Sequence, residues 1–280
     1  MASEIRELLW NGTIPCTITL YPNDSNQMTN TYEYHVLAPR NSYFPTLYPE
    51  LLSYFKPYLL VPEWSHRSDW WLEFEGVPLR WNWPVGVLYD TMTGIDPSKG
   101  NKRSPWKLIL RYRSYPDDYL LALPTLETLK THWMNQIKES CYVQHGTAKP
   151  VMVLSKNDSS DLWSSVETHD FKQFWSIFMK IAPKTVDKLK HVPSRFYITV
   201  SDKVIDLPFS PLNPSSEEPQ TLGSVLHELL PDLFPSSKNY ILAKPVLHGI
   251  VIPSNTLVGE IYFDAVYVDG FLHFAIIPVV

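Results

Sequence analysis

The chain has 280 residues, 44% apolar and only 19% charged, with 14% aromatic residues and 25 prolines, which excludes wholesale disorder. A net charge of −5 argues against a general nucleic-acid binder, whose domain is usually basic. Ten glycines leave little for glycine-rich phosphate-binding architectures.

In chain order, Ile5, Leu8 and Leu9 predict one face of a short opening helix that Asn11-Gly12 ends. Ile14, Cys16, Ile18 and Leu20 alternate over Thr13 to Tyr21, as on a half-buried strand. After a polar turn, Tyr32, Tyr34 and Val36 supply the second strand of a hairpin. Leu47, Leu51, Phe55 and Leu59 recur at helical spacing, and Trp71 to Phe74, Val85 to Tyr89 and Leu108 to Tyr112 read as further strands. The pattern then turns helical. Leu126, Leu129, Trp133 and Ile137 share a stripe, and Asn157-Asp158-Ser159 is an N-cap cluster. Phe171, Phe174, Trp175, Phe178 and Ile181 repeat as a helix that Pro183 stops, before a polar linker over Lys184 to Pro193.

The last block repeats the order of the first. Arg195 to Val200 and Val204 to Leu207 are strands around an Asp202-Lys203 turn, and Thr221 to Leu230 is a helix. Ile250 to Ile252 and Leu272 to Ile277 are strands around a short helix at Leu257 to Val266. Strand-strand-helix-strand-strand is the β-grasp order. The fold class is therefore α+β, with two ubiquitin-like domains, 1–122 and 191–280, flanking a helix-rich domain at 123–190.

No CxxC, HExxH, GxSxG, Walker or GxGxxG pattern is present, so no metal, cofactor or catalytic nucleophile is expected. Cys16 and Cys141 suit a reducing compartment and read as buried structural thiols. Glu73 and Glu75 could form a carboxylate pair on one strand face beside Trp70, Trp71, Trp81, Trp83 and Trp106, as in a hydrolase or glycan cleft. The simpler reading buries Leu72 and Phe74, leaves the acids in water and gives the tryptophans to a core or domain seam. Two basic stretches, Lys99-Lys102-Arg103-Lys107 and Lys172-Lys180-Lys184-Lys188-Lys190, are solvated loops or contacts for anionic lipid. Lys138 stands about 100° around its helix from Ile137, on an exposed flank. A lysine amine is a poor nucleophile unless a partner enzyme desolvates or deprotonates it.

A more specific signal lies in the segment Glu75 to Asp90, EGVPLRWNWPVGVLYD, and in the opening Ile5 to Gly12, IRELLWNG. With Ser114 to Pro116, the His132 to Cys141 helix, Asp170 to Trp175, Thr221 to Gly223 and Phe271 to Phe274, these segments resemble the autophagy protein five family, in order and over nearly the whole chain. The resemblance implies two ubiquitin-like domains around a helix-rich domain. It also implies an acceptor of a ubiquitin-like modifier, autophagy protein twelve, through an isopeptide bond. The matching lysine is Lys138 in Gln136-Ile-Lys-Glu139; Lys149 lies outside that segment.

The resemblance further implies that a helix of the coiled-coil autophagy protein sixteen docks in an apolar groove. Trp10, Trp81, Trp83, Pro84 and Gly86 are candidates for that groove or for a domain seam. The conjugate is expected to work with the E2-like proteins ten and three, promoting transfer of autophagy protein eight to phosphatidylethanolamine. The chain itself would be non-catalytic, part of an E3-like complex, cytoplasmic and peripheral at the pre-autophagosomal membrane. An unconjugated membrane-binding module is the alternative.

Overall fold

The computed structural model of the chain describes residues 2–26, 32–61, 70–100, 105–123, 125–199 and 203–279. Helix α1 (Ala2–Trp10) leads into β1 (Thr13–Leu20), which pairs antiparallel with β2 (Glu33–Pro39). Ile14, Cys16, Ile18 and Leu20 are all buried, because alternate side chains of a strand share a face. Helix α2 (Tyr48–Phe55) lays Tyr48, Leu51 and Phe55 on that face. The apolar spacing runs on to Leu59, but Pro57 has no N–H to continue the ladder, and a 3-10 turn replaces the last stretch. Strands β3 (Trp71–Phe74), β4 (Val77–Pro78) and β5 (Trp106–Arg111) complete a sheet of order β2-β1-β5-β3-β4, with β5 parallel to β1.

The strand expected over Val85 to Tyr89 is instead helix α3 (Val85–Thr93). Pro84 holds φ at −56° at its N-cap, and Gly94 closes it in the left-handed region. Val85, Val87, Leu88 and Tyr89 are all buried. A short run buried all round carries no period that separates strand from helix.

The helical unit comprises α4 (Leu126–His145), α5 (Lys149–Met152), α6 (Lys156–Glu167) and α7 (Phe171–Ile181). Thr125, Ser155 and Asp170 cap α4, α6 and α7. The α6 cap therefore falls two residues before the Asn157-Asp158-Ser159 cluster: Ser155 Oγ accepts from the Asp158 N–H at 3.0 Å. Leu129, Trp133, Ile137 and Cys141 of α4 turn inward, and Trp133 meets Trp163 at 5.4 Å between ring centroids. The stretch after Pro183 is more than a polar linker. Leu189 and Val192 are buried in it, and the Lys190 N–H bonds to the Gln144 carbonyl at 2.9 Å.

The third unit holds β6 (Ser194–Ile198), β7 (Lys203–Asp206), α8 (Leu222–Leu229), β8 (Ala243–Leu247), β9 (Ile250–Val251), α9 (Val258–Ala265) and β10 (Leu272–Pro278). Val200 and Asp202, part of an expected strand and turn, lie outside the described residues. Strand β8 was not legible in the sequence, since Pro245 in its middle reads as a breaker. The sheet order β7-β6-β10-β8-β9, with β10 parallel to β6, repeats the first sheet. Leu272, Phe274 and Ile276 point into the main core, while Ala275 and Ile277 form a second cluster with Val246 on the other face. Helix α3 packs against β10, and the Pro97–Lys99 turn packs against β9. The first ubiquitin-like domain thus packs against β9 and β10 of the second.

Candidate functional site

Lys138 is exposed on α4, between the buried Ile137 and Ser140 on either side. A cleft of about 620 Å³ runs beside it, bounded by Lys130, Met134 and Lys138 of α4 and by Val151, Met152 and Lys156. Met152 and Val153 stand 73% and 67% exposed, an apolar surface next to a cationic one. Glu139 turns away, to Arg195 of β6 at 3.3 Å. Among the residues lining the cleft there is no carboxylate, imidazole or thiol. The arrangement presents an accessible amine on the helix. Lys149 is also exposed, at the first position of α5.

Of the five groove-or-seam candidates, Trp10, Trp81 and Trp83 reach across to neighbouring units, while Pro84 and Gly86 make contacts within the first ubiquitin-like domain. Trp10 is 1% exposed. Its Nε1–H donates to the His169 carbonyl at 3.1 Å, and its ring stacks on His169 at 4.8 Å, joining α1 to the loop before α7. Trp81 donates to the Leu121 carbonyl at 2.7 Å and meets His132 of α4 edge-on. Trp83 packs edge-on against Tyr197 of β6. Pro84 caps α3, and Gly86 lets that helix close on Arg40: a Cβ there would lie 3.0 Å from the Arg40 Cβ.

An apolar groove exists elsewhere, and sequence reasoning missed it. It holds about 220 Å³. One wall is α1, through Ile5 and Leu9; the other is the β8–β9 hairpin, through Leu247, His248 and Ile250; the floor is Ile261 and Ala265 of α9. Ile5 and Ile250 are 42% and 50% exposed. Glu260 and Asp264, one turn apart on α9, edge it. Burial pushes the Asp264 carboxyl above its ordinary range, and nearby Arg6 partly opposes that. One sequence signal was available. Ile5, Leu8 and Leu9 make an apolar stripe on a terminal helix of nine residues, and such a stripe can cover a partner as well as a core.

The hairpin tip is held tightly. His248 (φ 51°) and Gly249 (φ 75°) are both left-handed, the geometry of a two-residue type I′ hairpin turn. The His248 Nε2 bonds to the Ala265 carbonyl at 2.9 Å, and its ring stacks on Tyr267 at 3.9 Å. Burial drives its pKa down to about 3, with Arg40 and His273 adding repulsion. The Gly249 N–H donates to Asp90 Oδ2 at 2.9 Å, and Asp90 is ion-paired with Arg40.

The remaining candidates dissolve into structure. Glu73 is not in water but 5% exposed, paired with Arg111 at 3.2 Å, while Glu75 sits exposed in the β3–β4 turn with φ 51°. The two carboxylates therefore do not share a site. Trp70, Trp71 and Trp106 are buried. Burial pushes the Cys16 thiol up to about 12 and raises that of Cys141. Among the described residues no group of His, Cys, Asp and Glu side chains could hold a metal ion, and no helix is long and apolar enough to cross a membrane. In the second basic stretch, Lys180 pairs with Asp158 at 2.8 Å and Lys188 with Asp187 at 3.7 Å, while Lys172, Lys184 and Lys190 are exposed. Lys102 and Arg103 of the first stretch lie outside the described residues.

Three family descriptions match in succession: "Autophagy protein ATG5, UblA domain" over residues 9–112, the "alpha-helical bundle region" over 126–184, and the "UblB domain" over 191–276. The chain is 37% identical to Autophagy protein 5 of Aspergillus terreus, covering 98% of this chain and 96% of the relative. It is 38% identical to Autophagy protein 5 of Pichia angusta at the same coverage. The crystal structure of Kluyveromyces marxianus Atg5 superposes with a TM-score of 0.78 over 98% of this chain and 99% of that one, at 23% identity, a likeness of fold. With two ubiquitin-like domains around a helical bundle and relatives of this closeness over nearly its whole length, the chain belongs to the autophagy protein 5 family and has a role in autophagy.

Proposed function

We propose that the chain accepts the ubiquitin-like autophagy protein twelve at Lys138 and serves as a non-catalytic scaffold in an E3-like complex. In the transfer, Lys138 Nζ attacks the thioester carbonyl at the modifier's C-terminus, carried by the E2-like protein ten. The C–N bond forms, the C–S bond breaks with the enzyme's thiolate leaving, and the amine proton passes to a base of the enzyme or to water. The observation that carries this reading is the exposed Lys138 on α4, inside the segment that resembles the family's acceptor motif, beside an open cleft.

The groove between α1 and the β8–β9 hairpin suits an amphipathic helix, here that of the coiled-coil protein sixteen. Its apolar stripe would lie on Ile5, Leu9, Ile250 and Ile261, with a basic residue toward Glu260 and Asp264. The conjugate then stimulates the E2-like protein three to move autophagy protein eight onto phosphatidylethanolamine. Lys172, Lys184 and Lys190 supply contacts to anionic headgroups worth up to about 1 kcal/mol each, which fits a cytoplasmic protein peripheral at the pre-autophagosomal membrane.

The test mixes the chain with the E1-like protein seven, the E2-like protein ten, the modifier and ATP, then maps the branched peptide by mass spectrometry. Lys138→Arg should fold, bind the partner helix and form no conjugate, since guanidinium has no titrating amine for this attack. Full conjugation of that variant would move the acceptor elsewhere. A folded wild-type chain that forms no conjugate, yet binds anionic liposomes with a steep salt dependence, would favour the unconjugated membrane module.

A further inference from the structure

We infer that Arg40 and Asp90, neither of which lines the groove, are positioning residues for it. They tie both of its walls to one buried ion pair at the seam between the ubiquitin-like domains, so that helix binding and that seam are coupled. The inference rests on the groove reading above.

The hairpin wall is weak by itself. Strand β9 has two residues, and a short hairpin is marginal without packing. Its anchor is the Gly249 N–H on Asp90 Oδ2 at 2.9 Å. A Cβ on Gly249 would stand 3.0 Å from the Cζ and both Nη atoms of Arg40, so the tip lies flat against the guanidinium. His248 and Ile250, the residues on either side of that anchor, line the groove.

The opposite wall leads to the same place. Helix α1 ends at Trp10, and the Gly12 carbonyl two residues later accepts from the Arg40 N–H at 2.9 Å. A Cβ on Gly12 would meet the Arg40 Cδ at 3.3 Å. Arg40 also holds α3 through its carbonyl and the Gly86 N–H at 2.9 Å. The side chains of Arg40 and Asp90 are 6% and 7% exposed. A buried charge that loses its partner must move or draw in water. The spacing between Ile5 and Leu9 on one side and Leu247 and Ile250 on the other therefore depends on a pair that the bound helix never touches. Coupling of this kind is reciprocal: a helix that favours this spacing also protects the Gly249 amide.

The experiment compares wild type, Asp90→Asn and Asp90→Ala in the full chain. One readout is affinity for a synthetic peptide of the coiled-coil partner's helix; the other is hydrogen exchange at the Gly249 amide, with and without peptide. Asparagine keeps an acceptor for Gly249 and Arg40 but loses the charge, whereas alanine loses both. Near-UV circular dichroism confirms that each variant is folded at the assay temperature. The expected order for affinity is wild type, then Asp90→Asn, then Asp90→Ala, with Asp90→Ala weaker by tenfold or more. Gly249 exchange should quicken in the same order, and peptide should slow it in wild type. A purely structural role predicts lower melting temperatures with unchanged affinity, and that result overturns the inference. So does weaker binding with no change at Gly249. A wild-type chain that fails to bind the peptide sinks the groove reading itself, and the missing isotherm distinguishes that failure.

Discussion

His248 makes the stability of the chain depend on pH with a sign that can be worked out. In the folded state its ring is buried, its Nε2–H donates to the Ala265 carbonyl, and its pKa is near 3. An unfolded histidine titrates near 6.5. Between those values the unfolded chain binds a proton that the folded chain refuses. The contribution is fully present above about pH 6.5 and is lost as pH falls, at up to about 1.4 kcal/mol per pH unit. From pH 6 to pH 4 that amounts to roughly 2 kcal/mol or slightly more. Asparagine suits the test because it tolerates the left-handed backbone at this position. Urea unfolding of wild type and His248→Asn at half-unit pH steps gives two stability profiles. His132 and His169, which burial also depresses, contribute equally to both and cancel in the difference. The wild-type profile should be steeper by about one proton between pH 6 and 4. Parallel profiles would refute the argument, whatever the offset between them.

Other consequences follow from single contacts. Gly223→Ala places a Cβ 2.0 Å from the Ser237 carbonyl oxygen and 2.9 Å from that of Ser254; backbone must move, and a loss of at least about 1–3 kcal/mol should appear as a lower denaturation midpoint. Asp170→Ala removes the α7 cap, which accepts from the Gln173 N–H at 3.0 Å, and should cost about 1 kcal/mol by the same measurement. Trp133→Phe deletes the indole N–H that serves the buried Val268 carbonyl and should cost about 1–3 kcal/mol, with faster exchange of amides near the 266–271 turn. The pair Ile5→Glu and Ile250→Glu alters two exposed groove residues; calorimetric titration should show helix binding weakened at least tenfold, while thermal unfolding stays within a few degrees of wild type.

The elements that could be read from sequence were those with one buried face. Strand β1 shows its alternation and α7 its stripe, because each sets an apolar face on the core and polar residues opposite. Helix α3 and strand β8 could not be read in the same way. The first is buried throughout its opening residues, Val85 to Asp90, where two domains meet, and the second carries Pro245 where a ladder is expected. Glu73 looked solvent-facing because strand alternation places it opposite Leu72; only Arg111 on the neighbouring β5 explains its burial. At the candidate sites, Lys138 was legible as an exposed amine from its angle to Ile137. The groove was not, because its walls come from residues 5–9, 247–252 and 261–265, and no local pattern joins segments so far apart.

By itself the sequence determined the class of the protein: two β-grasp patterns around a helical block, with Lys138 on an exposed flank of the first long helix of that block. It also lacks the short-spaced metal, nucleotide and nucleophile motifs. Tertiary structure alone decided that Trp10, Trp81 and Trp83 close seams. A tryptophan in a groove and one in a seam have the same local pattern and differ only in what covers them. It decided as well that the groove's two walls converge on Arg40 and Asp90, through backbone groups of Gly12 and Gly249 that bear no side chain and leave no trace in composition or periodicity.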